Sequence, residues 1–156
     1  MATFAKFQCF VENLAEKVHN LGADTLKLLL TNTAPNTADT VVDTTTTPCT
    51  VKSTSNAVEL AALASCYTKG GPTVSITTSA QSAGTYSLIG TDVVITNSGA
   101  GATGNFRYVV LYNDTSGTTA TRGVIGSWDY GSAIALAIGE SFTIDLDGTN
   151  GILQIA

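Results

Sequence analysis

Apolar side chains near the start of the chain recur at spacings of three and four. Phe7, Phe10, Val11, Leu14, Val18 and Leu21 share one helical face, and Glu12, Asn13, Glu16, Lys17 and Asn20 cover the other. The spacing predicts an amphipathic helix over about residues 5–21. Thr3 suits its N-cap, Lys17 and His19 suit the dipole of its last turn, and Gly22 suits the left-handed position just past its end. Residues 24–31 then read as a strand, with Leu26, Leu28 and Leu30 on one face and Leu29 on the other. So wide an apolar stripe on one helix must lie against something. The later strands are the only large candidate.

Residues 32–50 carry two prolines, several Asn and Asp turn formers and a run of threonines, the pattern of a long loop anchored in the middle by Val41 and Val42. Residues 55–67 place Val58, Ala61, Ala62 and Ser65 at helical spacing, which predicts a second, short helix ended by Gly70, Gly71 and Pro72. From residue 73 the period changes to two. Val74 and Ile76 alternate with polar neighbours, and residues 86–89 and 92–96 read as a hairpin turning at Gly90 and Thr91. Residues 106–113, FRYVVLYN, are apolar on both faces and predict a central strand. Residues 121–130 form the next strand and 133–138 a short apolar piece. In 141–147, Phe142, Ile144 and Leu146 point inward and Thr143, Asp145 and Asp147 outward, and residues 152–155 close the chain.

Short strands at regular spacing indicate a single, mainly β domain over residues 1–156. The expected form is an antiparallel β-sandwich, jelly-roll-like, from about residue 73 to 156, preceded by the helix and the long loop. Charged residues are only 12% of the chain, about half the usual fraction of roughly 25%. Thr, Ser, Gly and Ala take their place, so the surface loses few ionic hydration shells on contact with another protein. That is a hint of assembly.

The net charge is −5. After Lys69 there are two arginines against six carboxylates, so a basic nucleic-acid footprint is absent. No apolar run is long enough to span a bilayer, and the start of the chain lacks the blocks of a signal peptide, so synthesis and retention in a cytoplasm are expected. Cys9, Cys49 and Cys66 are widely spaced, with no CxxC pair, and read as free thiols.

Candidate chemistry is thin. Gly99, Gly101 and Gly104 match GxGxxG by letter, but a strand follows where a dinucleotide site needs a helix. Residues 145–150 resemble the start of a calcium loop, yet position six is Asn150, not glycine, and position twelve is Ala156, not glutamate. His19 has no nucleophile paired with it in the pattern, and no GxSxG is present. No enzyme, cofactor or metal is expected. The one aromatic concentration is Trp128 and Tyr130, with Tyr108 and Tyr112 nearby. These rings serve either as core or subunit-interface anchors or as a platform for sugars beside an acid.

Three blocks carry a resemblance: the opening MATFAKFQCFVENLAEKVHNLGADTLKLLLTNTAP, the stretch RYVVLYND and the ending GSWDYGSAIALAIGESFTIDLDGTNGILQIA. Together, over about half the chain, they resemble small virion structural proteins encoded beside the capsid genes of tailed bacteriophages. The resemblance implies a head decoration, or cement, protein on the capsid exterior, made in the host cytoplasm. Its partners would be the major capsid protein and copies of itself, as a homotrimer, with no direct nucleic acid and no membrane. A tail or neck subunit and a carbohydrate-binding module are the alternatives, and a small hydrolase the remotest. On the cement reading, contact is expected from the arm at residues 1–7, with Phe4 and Lys6, from the loop at 33–50, with Val41 and Val42, and from Trp128 and Tyr130. Truncating either segment should then leave a folded domain that no longer attaches.

Overall fold

The computed structural model describes residues 2, 4–62, 66–99 and 101–156. Among them the chain is mainly β, with twelve strands in antiparallel sheets and one helix. In chain order these are β1 (Phe4–Lys6), α1 (Cys9–Ala15), β2 (Leu26–Thr31), β3 (Val41–Asp43), β4 (Thr50–Lys52) and β5 (Ala57–Val58). There follow β6 (Ile76–Ser82), β7 (Thr85–Gly90), β8 (Val93–Thr96), β9 (Phe106–Asn113), β10 (Arg122–Ile134), β11 (Ser141–Ile144) and β12 (Leu153–Ile155).

The main sheet runs β2-β9-β10-β3-β4-β5, and β1 also pairs with β10. Strand β9 is central because it is apolar on both faces. Its Leu111 lies opposite Leu28 and its Val110 opposite Leu29, so alternation sends each pair to a different side. On one side Leu26, Leu28, Leu30, Leu111 and Ile125 meet Phe10 of α1 and Leu88, Ile95 and Ile144 of the smaller sheets. On the other, Leu29, Val110, Tyr112 and Val124 meet Phe7, Val42, Val51 and Ala57. The four leucines of β2 are fully buried. Each contributes on the order of 1.5–3 kcal/mol of transfer free energy, an upper bound given a compact unfolded chain. The smaller sheets are β12-β7-β6 and β11-β8.

Several expectations from the sequence change. The helix spans Cys9–Ala15 rather than 5–21, and Phe4–Lys6 is a strand instead. The cause is pairing: β1 lies in register with Gly126–Trp128 of β10, and the Phe7 amide continues that ladder to the Ile125 carbonyl. Phe10 is buried, but Val11 and Val18 are exposed, so the apolar face is narrower than the spacing implied. Lys17, not Gly22, takes the positive φ after the helix, and Thr3 lies outside the described residues. The loop 32–50 contains β3 and part of β4. The second helix is replaced over residues 57–58 by β5, which pairs with β4, while residues 63–65 lie outside the described residues. Gly90 and Thr91 do not turn a hairpin. β7 pairs with β6 through Ala83 and Gly84, both at positive φ, and β8 pairs with β11.

The outer edge of β2 is covered by two stretches of loop. The Leu28 amide donates to the Pro72 carbonyl, and the Val74 and Leu60 amides donate to the carbonyls of Leu26 and Leu30. Gly71 makes the first contact fit: it sits at φ +76°, and a Cβ there would lie 1.8 Å from the Leu28 carbonyl oxygen. Beneath this cover Glu59 is buried. Its carboxylate accepts from the Cys49 amide at 2.8 Å, the Tyr67 hydroxyl at 2.9 Å and the Gly70 amide at 2.6 Å, while the Leu30 amide donates to the Tyr67 oxygen. Burial, with Glu59 alongside, pushes the Cys49 thiol up to about 12.

Candidate functional site

Strand alternation places Trp128 and Tyr130 on the same face of β10, and register sets Phe4 of β1 directly opposite Trp128. The Phe4 and Trp128 rings meet at 5.0 Å between centroids, tilted by 55°. Gly126 permits this, since a Cβ there would stand 2.2 Å from the Phe4 ring. From the other side β11 brings Phe142 edge-on to Tyr130 at 5.6 Å and to Phe106 at 5.2 Å. The rings enclose a cavity of about 390 Å³ where the larger core opens to solvent. Its floor includes Val109, Leu146 and Ile152, and its rim carries Thr143, Asp145 and Asp147.

The rim is fixed by backbone chemistry. Asp92 accepts from the Leu146 amide, which pins the chain just past β11. Asp145 Oδ1 accepts from the Asp147 amide, and Asp147 Oδ1 accepts from the amides of Thr149 and Asn150. Hydrogen bonds from Asn150 and Thr149 hold the Asp147 carboxyl below its usual range. It is therefore an acceptor and not a proton donor. Neither rim carboxylate makes an ion pair among the described residues. On the outward face, Arg107 grips Asp129 with two nitrogens at 2.7 and 2.8 Å and draws that carboxyl down to about 2. Arg107 also lies 5.2 Å from the centre of the Tyr108 ring.

Of the six residues singled out in the sequence, Phe4, Trp128 and Tyr130 come together in this cavity. Lys6 is exposed, at the other end of β1 and opposite Gly126. Val41 and Val42 sit on β3 at the start of β10, away from the rings. Val42 has no exposed surface and packs in the second core, so its side chain is not available to a partner. Phe7, Asp39, Val42 and Cys49 are all buried, so removing the stretches that carry them would expose the core. The sequence pattern makes Phe142 an inward ring and Asp145 and Asp147 a solvated strand face. Their convergence on Trp128 depends on β11 and the turn after it, which no local pattern encodes.

The described lining of the cavity holds two carboxylates, those of Asp145 and Asp147, and no imidazole, thiol or amine. Among the described residues, no three His, Cys, Asp or Glu side chains are grouped to hold a metal ion, and no helix is long and apolar enough to cross a membrane. In comparisons with known proteins, no family model, no curated protein and no solved structure matches the chain.

Proposed function

We propose that the protein is a capsid decoration protein of a tailed bacteriophage, bound to the outside of the head and bridging neighbouring capsid subunits. The resemblance of its two ends to small phage virion proteins is the starting point. The observation that carries the reading is the aromatic cluster of exposed Tyr130 with partly buried Phe4 and Trp128, built from two paired strands in a chain with few charges. Such a surface suits contact by shape and apolar area, and aromatic anchors dominate the energy of protein interfaces. In this reading the architecture is a jelly-roll-like sandwich, with the main sheet as one layer and the two smaller sheets as the other. The partners are the major capsid protein and, as a trimer, further copies of the chain. Many copies turn a modest contact into durable attachment, because each bridge makes the next effectively intramolecular.

The test is addition of purified protein to heads that lack it, followed by sedimentation. Saturable attachment in fixed proportion to the capsid subunit, with greater resistance of the heads to heat, is expected. Protein that stays in the supernatant while binding isolated tails would replace this reading with a tail role.

A further inference from the structure

We propose that the aromatic cavity is a receptor for one arginine side chain presented by a partner protein. The proposal deepens the decoration reading, on which the arginine belongs to a capsid subunit. Three observations converge on a cation. The cavity is walled by the rings of Phe4, Trp128, Tyr130 and Phe142, whose faces attract positive charge. Its rim carries Asp145 and Asp147 and no cationic side chain. The chain's own arginines are engaged elsewhere, Arg107 with Asp129 and Arg122 with Asp114.

Arginine fits better than lysine because a planar guanidinium stacks on rings and pairs with a carboxylate through two nitrogens at once. A sugar is the weaker match. It needs donors as well as acceptors, and the lining's side-chain donors are confined to Trp128, Tyr130 and the Thr143 hydroxyl. Asp145 is exposed, and its Oδ1 accepts from the Asp147 amide; on this proposal its other oxygen receives the ligand.

Trp128 is the only tryptophan in the chain, so its fluorescence reports on this cavity alone. The protein is titrated with N-acetyl-arginine amide, with its neutral citrulline counterpart and with methyl glucoside. A saturable change with arginine, weakened by salt and absent with citrulline, is expected. Asp145→Asn keeps the oxygen that receives the Asp147 amide and should weaken the arginine response about tenfold, the loss of one charge-assisted contact. Tyr130→Ala, at a half-exposed position, should weaken it as well. Equal responses to citrulline, or a response to the glucoside alone, would overturn the proposal. Head attachment by D145N at wild-type strength would also sink it while leaving the decoration reading intact. Arginine binding without any head attachment would do the reverse.

Discussion

Replacing Glu59 by alanine tests the reasoning about the cover of β2. The substitution removes the acceptor of three buried donors: the Cys49 amide, the Tyr67 hydroxyl and the Gly70 amide. Each buried donor left without a partner costs about 1–3 kcal/mol, so the sum is about 3–6 kcal/mol once water partly fills the space. A domain of this kind has about 5–15 kcal/mol in total, so the variant should stand near the edge of folding. In urea, at about 2 kcal/mol per molar, the midpoint should fall by roughly 1.5–3 M. Glu59→Gln keeps one acceptor oxygen and should lose less. Tyr67→Phe, which strands the Leu30 amide, should fall between wild type and E59A. Equilibrium unfolding followed by circular dichroism reads all three. An E59A unfolding free energy within about 1 kcal/mol of wild type, at an unchanged slope, would refute the claim that this carboxylate holds the cover in place.

Gly126→Ala should displace the Phe4 ring from β10, shift Trp128 emission to the red and cost about 1–3 kcal/mol from overpacking. Unchanged emission would mean that Phe4 is not seated there. Gly71→Ala should be more severe, because the added Cβ meets the Leu28 carbonyl and the backbone is left-handed; soluble, normally folded protein would contradict it. His19 is buried against Phe10 with Nδ1 facing the Asn113 amide, and burial lowers its pKa despite the pull of Asp24. The unfolded chain therefore holds the proton more tightly. The stability this group contributes is whole above about pH 6.5 and is lost as pH falls below it. Wild type minus His19→Gln, measured by denaturation at pH 7.5 and pH 5, should show that loss, and a flat difference would contradict it. Native Cys49, buried with its thiol pushed up to about 12, should be the slowest cysteine to react with iodoacetamide at pH 8, and labelling as fast as Cys9 would contradict the burial.

Elements whose partners satisfy both faces were legible in the sequence. Leu26, Leu28 and Leu30 alternate onto one core with Leu29 on the other, and FRYVVLYN is central because nothing polar interrupts either face. Elements fixed by distant pairing were not. The arm at Phe4–Lys6 reads as the start of a helix, yet β10, more than a hundred residues on, draws it into a sheet. Ala57 and Val58 sit in an alanine-rich stretch suited to a helix, but pairing with β4 outweighs a propensity difference of a few tenths of a kcal/mol per residue. The true hairpin turns at Ala83 and Gly84, where alanine gives no turn signal, while the glycine at position 90 suggested the wrong partner. The aromatic part of the site was visible as Trp128 and Tyr130. Its acidic rim was not, because Asp145 and Asp147 carry the spacing of an ordinary solvated strand face.

Cryo-electron microscopy of DNA-filled heads, with and without the added protein, decides whether the chain decorates capsids. New density is expected on the outer shell where capsomers meet, with the face bearing Phe4, Trp128 and Tyr130 turned toward the capsid. Bare heads at saturating protein, or bound protein with that face turned to solvent, would contradict it.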